Sequence, residues 1–149
     1  QDLARRSVDV MNLGEMQPER DHELTAKNSY AVTYRGRHGR DARTFGFFEY
    51  RAKVRPGPLV LQATYWGEER NKLFDILIDG TKIATQALDG GHPGDFFTID
   101  YPIPADLTRG KDSVMVRFQP ANDTTRCGPV FGVRIFTPAS APETTKGTV

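Results

Sequence analysis

Leu59-Val60-Leu61-Gln62-Ala63-Thr64-Tyr65-Trp66 decides the fold. Leu59, Leu61, Ala63 and Tyr65 fall on one side of an extended chain, and Val60, Gln62, Thr64 and Trp66 on the other. That period of two is the pattern of a half-buried β-strand. Gly67 follows and is read as freeing the chain to turn, and Glu68-Glu69-Arg70-Asn71-Lys72 form a solvated bend. The alternation then resumes over 73–78 and ends in Asp79-Gly80, a strong two-residue hairpin signal, with 81–87 as the returning strand.

Further blocks lie outward from this unit at 7–12, 29–35, 44–54, 96–101, 113–119 and 130–136. In the second, Tyr30, Val32 and Tyr34 share a side. In the third, Phe48, Tyr50, Ala52 and Val54 oppose Phe47, Glu49, Arg51 and Lys53. Arg55-Pro56-Gly57-Pro58 and Asp89-Gly90-Gly91-His92-Pro93-Gly94 break the chain between them. A helical turn is expected at 104–110, closed by Gly110. Helical periodicity is otherwise almost absent, and about nine strands at this spacing predict an antiparallel sandwich. The expected architecture is all-β: a single jelly-roll-like β-sandwich of the galactose-binding type over 1–137, with a flexible tail or linker at 138–149.

The chain has 149 residues, enough for one core, with 38% hydrophobic and 26% charged residues and a net charge of +1. This argues against a disordered chain and against an electrostatic nucleic-acid binder. No apolar run approaches the ~20 residues needed to cross a bilayer, so no membrane partner is expected. The first residues lack the apolar core of a signal peptide. A start other than Met fits a processed protein or a domain of something larger.

No catalytic signature is present. His22, His38 and His92 all fall in expected loops without a Gly-x-Ser-x-Gly partner, and there is neither a phosphate-binding loop nor His-x-x-x-His spacing. Cys127 is single, which rules out an internal disulfide and a multi-cysteine zinc site, and it reads as a small packing residue. Glu15, Glu19 and Asp21 could offer oxygens to calcium. Their spacing is not specific, and a solvated segment with side chains bonding nearby amides is the simpler reading. No metal and no cofactor is expected. Arg35-Gly36-Arg37-His38-Gly39-Arg40-Asp41-Ala42-Arg43 reads as a solvated loop or docking surface, although its guanidinium forks suit phosphates or an acidic sugar.

Trp66, the one tryptophan, has two readings. It is a ring on which a sugar stacks, with Tyr65, Glu68, Arg70, Arg117 and Asn122 as accompanying candidates, or a packing residue that covers the sandwich edge.

Tyr65-Trp66-Gly67, Phe74-Asp75-Ile76-x-Ile78-Asp79-Gly80-x-x-Ile83-Ala84, Tyr101-Pro102-Ile103-Pro104 and Gly110-Lys111-x-x-Val114-x-Val116-Arg117-Phe118 together resemble one family. It is the C-terminal β-sandwich domain of bacterial β-L-arabinofuranosidase-like glycoside hydrolases, formerly a domain of unknown function. Gly14-Glu15-x-x-Pro18-Glu19-x-Asp21-His22 and Gly128-x-Val130-Phe131-Gly132-Val133-Arg134 resemble that domain's ends, so about residues 8 to 136 are covered. The catalytic unit of that family is an (α/α)6 barrel with a zinc-associated cysteine and glutamate, and nothing here is similar to it. The resemblance therefore implies a non-catalytic accessory module, secreted or periplasmic, that binds a glycan. The alternative it leaves open is a structural module that packs on the catalytic barrel or mediates self-association.

Overall fold

A computed structural model describes residues 2–139, so the part of the expected tail at 140–149 lies outside the described residues. The deciding stretch is strand β4, Leu59–Trp66, with Leu59, Leu61, Ala63 and Tyr65 buried. It is paired antiparallel on both sides, with Gly132–Phe136 (β10) and with Phe96–Ile103 (β7). Ser7–Met11 (β1) completes this sheet, in the order β1-β10-β4-β7.

The facing sheet is built around Thr25–Tyr34 (β2), Arg37–Lys53 (β3), Ser113–Pro120 (β8), Lys72–Ile78 (β5) and Thr81–Leu88 (β6), in that spatial order, with the short Cys127–Val130 (β9) beside β3. Inward residues of both sheets, among them Phe48, Tyr50, Tyr65, Phe74, Ile76 and Phe118, form one core between them. Phe48 and Phe118 sit opposite each other in register and their rings stack at 5.1 Å. All pairings are antiparallel, so the sandwich expected from alternation is the fold.

The β5–β6 hairpin closes at Asp79-Gly80 with φ of 47° and 84°, the two positive values that an Asp-Gly turn of this kind needs. Asp79 also ties this turn to β8. Its carboxylate accepts the Met115 N–H and the Lys111 ammonium, each at 2.7 Å. Partial burial pushes its pKa up, but the Lys111 bond, the Met115 N–H and the charges of Lys111 and Arg51 outweigh this and hold it below the usual 3.8.

Three expectations change. The four-arginine segment is not a loop: β3 begins at Arg37, because Arg35-Gly36 (φ 49° and 78°) makes a tight turn and Tyr34 pairs with Arg37. Gly39, which reads as a loop residue, is a strand position where a side chain would strike Val130 O at 2.7 Å and the Phe131 ring at 2.9 Å. The expected strand over 130–136 is two strands, since the chain passes at Phe131 from the β3 sheet to the β4 sheet. Two short helices stand where helical periodicity was almost absent, α1 (Asp2–Arg6) and α2 (Met16–Asp21).

Glu19 on α2 has a definite role. One oxygen accepts the Gly14 N–H at 2.7 Å, and both take the Arg40 guanidinium, at 2.8 and 3.0 Å. A carboxylate satisfied in this way is already neutralised by a cation of the chain itself. Asp21 is bonded by Gln17, so the two acids do not converge on one point through these contacts.

Candidate functional site

Trp66 is the last residue of β4 and lies directly across from Phe96, the first residue of β7; their rings are 4.9 Å apart. The β2–β3 hairpin then folds over it. Tyr34 approaches the indole at 5.0 Å and the Arg35 guanidinium lies 4.9 Å from its centroid. Phe96 in turn contacts Phe131 at 5.0 Å and carries Arg37 at 4.6 Å. An aromatic cluster faced with arginines closes this end of the sandwich.

This burial decides between the two readings of Trp66: it is only 6% exposed, so it packs at the sandwich edge and its ring offers no open face. The ring that reaches solvent is Tyr34, at 41% exposure, resting on the tryptophan. Between Tyr34, Thr33, the Trp66 edge, Glu68, Glu69 and Pro129 runs a groove of about 350 Å³. Its polar rim is pre-set. Glu68 accepts the Gly94 N–H at 2.8 Å, Glu69 pairs with Lys72 at 2.7 Å, and the Thr33 hydroxyl bonds His38 at 3.0 Å.

A second cavity, of about 240 Å³, lies on the other side of Trp66 and Glu69, lined by Gln86, Asp89, Gly90, His92 and Phe97. His92 is stacked on Phe97 at 4.1 Å, which fixes the Leu88–His92 wall. Arg70 lies against Gly90, close enough that a β-carbon there would meet its guanidinium at 2.8 Å.

Of the residues expected from sequence, Trp66 and Glu68 reach the groove and Arg70 backs the neighbouring cavity. Tyr65 does not reach either. It is wholly buried, its hydroxyl lies 2.7 Å from that of Tyr101, and Tyr101 donates on to Gln86 at 2.8 Å. Burial pushes both phenols well above the ordinary value of 10. Tyr65 is a core residue, because the strand's alternation points it inward. Arg117 and Asn122 line a separate depression beside Phe45 and Phe47. Tyr34, Thr33, Glu69 and Pro129 were not anticipated. The signal for Tyr34 was present: the alternation Tyr30, Val32, Tyr34 runs directly into the Arg35-Gly36 turn.

One cluster has the composition of a hydrolase site without its geometry. Asp9, His22 and Ser113 share a cavity of about 410 Å³. However, the His22 ring nitrogens face Pro18 O at 2.7 Å and Asp9 at 2.8 Å, and the Ser113 hydroxyl accepts from Arg51 at 3.2 Å. No ring nitrogen remains to take a proton from the serine, so the histidine works as a clamp between β1 and α2. The groove beside Trp66 can hold an apolar ring face on Tyr34 and hydroxyls on its carboxylates.

The chain belongs to a family of unknown function (DUF6805), whose model matches residues 2–136. No curated protein matches it in sequence. Among solved structures it is similar to a family 35 carbohydrate-binding module from Clostridium thermocellum, with TM-score 0.57 and 14% identity over 86% of this chain and 96% of that one. It is also similar to a carbohydrate-binding module of lichenase 5A from Cellvibrio mixtus, in complex with cellotriose, with TM-score 0.57 and 12% identity over 89% and 99%. An exo-β-1,3-galactanase from Phanerochaete chrysosporium, bound to β-1,3-galactotriose, matches with TM-score 0.60 and 8% identity, over 87% of this chain and 29% of the enzyme. At these identities the likeness is one of fold.

Proposed function

We propose that this member of the DUF6805 family is a non-catalytic carbohydrate-binding module, and that the groove between Tyr34 and Glu68 is where it holds a glycan. The observation that carries this reading is the half-exposed Tyr34 ring standing on a buried Trp66. A sugar's apolar face stacks on such a ring while its hydroxyls bond planar polar groups, here Glu68 and Glu69. The groove's volume suits one or two sugar rings. The carbohydrate-binding modules of the same fold support the class of ligand, and the galactanase supports the idea of a sandwich serving as one part of a longer enzyme. The resemblance to the C-terminal domain of β-L-arabinofuranosidase-like hydrolases points to a bacterial glycoside hydrolase as the parent, secreted or periplasmic, with residues 1–137 as the module and 138–149 as the linker.

The test is calorimetric titration of the chain with cellotriose, β-1,3-galactotriose and arabino-oligosaccharides. Tyr34→Ala should weaken binding at the groove at least tenfold, about 1.4 kcal/mol, with Tm little changed. Trp66→Ala should instead lower Tm, because it empties the cluster beneath. Binding unaffected by Tyr34→Ala would overturn the assignment of the groove.

A second reading, a structural module that packs on a catalytic barrel or on its own copy, is favoured by β2. This edge strand is mostly exposed and is paired only with β3. Against it, the large exposed apolar side chains lie on four elements: Val10 on β1, Met16 on α2, Tyr30 and Tyr34 on β2, and Phe45 on β3. A strictly monomeric chain in light scattering would remove self-association.

A further inference from the structure

Phe45 lies at an irregular point of the larger sheet. Its φ is 65°, in the left-handed region that bulky L residues rarely adopt, and its side chain is 69% exposed. It sits on a bulge. Lys27 pairs with Phe47 and Ser29 with Ala42, so 43–46 of β3 stand opposite the single Asn28 of β2. The bulge is tightly held: Asn28, itself at φ 46°, donates its amide to Thr44 O at 2.8 Å. At Gly46 a β-carbon would lie 2.5 Å from Lys27 O, so no other residue fits there. A rigid turn thus holds an apolar ring in water, a combination that costs stability and gains no packing.

The ring has polar company. Phe45 borders a depression of about 320 Å³ with Phe47, Arg117, Gln119, Asn122 and Asp123. Phe47 carries the Arg117 guanidinium at 3.9 Å, and Arg117 is fixed by Glu49 at 3.1 Å and Gln119 at 3.5 Å. The Asn122 side-chain oxygen is taken by Thr124, which leaves its NH2 unused, and Asp123 has no ion-pair or hydrogen-bond partner among the described residues. An exposed ring beside an amide donor and a free carboxylate matches the two faces of a sugar.

We infer that this depression is a second glycan site, separate from the groove at Tyr34, in which Phe45 stacks on a sugar ring and Asn122 and Asp123 bond its hydroxyls. A chain with two such sites would grip one polysaccharide at two points and gain avidity beyond either site.

The deciding substitution is Phe45→Gly, since glycine is at ease at φ 65°. Wild type, Phe45→Gly, Asp123→Ala, Tyr34→Ala and the Phe45→Gly/Tyr34→Ala pair would be titrated with cellotriose, β-1,3-galactotriose and arabinotriose. The same chains would be run through gels containing lichenan, β-1,3-galactan or arabinan. The expected result for Phe45→Gly is an unchanged or higher Tm, one bound oligosaccharide in place of two, and at least tenfold weaker retention by the polysaccharide. Asp123→Ala should move in the same direction, and the pair should bind nothing. Wild-type binding in Phe45→Gly, or a Tm lowered by more than about 5 °C, would overturn the second site while leaving the groove standing. A wild-type chain that binds none of these glycans overturns both sites.

Discussion

Gly67→Ala isolates a packing constraint that joins the groove to the rest of the sandwich. Gly67 follows Trp66 and precedes Glu68, and its φ is not in the left-handed region, so its backbone would accept alanine. The space would not. A β-carbon there would lie 1.8 Å from His92 O and 2.5 Å from Asp95 O, against a floor of 3.0 Å for real contacts. The 92–95 loop would have to retreat by more than an ångström. It is held at that point by the Gly67 N–H to Asp95 O at 2.8 Å and the His92 N–H to Gly67 O at 3.1 Å. Losing those two bonds costs about 1 kcal/mol each, and residual overpacking adds about 1 to 2 kcal/mol. The total is about 3 to 4 kcal/mol, or a fall in Tm of roughly 6 to 16 °C for a chain of this size. Gly91→Ala is the control. Nothing lies within 4 Å of its β-carbon and its φ is ordinary, so its Tm should stay level or rise slightly. Differential scanning calorimetry of the three proteins decides the matter. A Gly67→Ala Tm within about 2 °C of wild type, or a Gly91→Ala equally damaged, would refute the close-approach argument.

Other consequences are independent of the groove. Glu19 and Arg40 are 12% and 13% exposed and doubly bonded, so Glu19→Gln should cost about 3 kcal/mol in urea unfolding; a loss under about 0.5 kcal/mol would mean the pair is effectively solvated. The Asp79 pKa is lowered on folding, so its contribution is complete above the unfolded value of 3.8 and lost as pH falls below it. Asp79→Asn should therefore flatten the fall of Tm between pH 5 and 2.5, and an unchanged slope would refute its role. Burial raises the Cys127 thiol well above 9, so a thiol reagent should label it only on unfolding; rapid labelling of the native chain would contradict its place in the core.

The legible part of the structure was the part written as alternation. Leu59–Trp66, the Asp79-Gly80 hairpin and the inward set of Phe48, Tyr50 and Ala52 could be read because a half-buried strand must alternate and an Asp-Gly pair accepts positive φ. The Arg37–Arg43 half of β3 was not legible. Its glycines look like loop residues, and only the tertiary structure shows Gly39 paired with Val32 and kept free of a side chain by Val130 and Phe131. Gly67 was read in part: the chain does turn there, with the Glu69 N–H on Trp66 O, but the crowding by His92 O and Asp95 O that keeps the position bare has no sign in the sequence. The split at Phe131 was hidden as well, because both halves are apolar and the crossing between sheets leaves no local signature.

The sequence by itself determined that this chain is an antiparallel sandwich and that Trp66 ends the strand on which it lies, since periodicity and turn chemistry are local properties. Tertiary structure alone decided what Trp66 does. Its neighbours Tyr34, Arg35 and Phe96 are distant in the chain and meet only when the β2–β3 hairpin folds over the end of β4, leaving the tryptophan buried and the tyrosine in water. A site depends on which rings remain uncovered after packing, and that is a property of the assembled sheets rather than of any one strand.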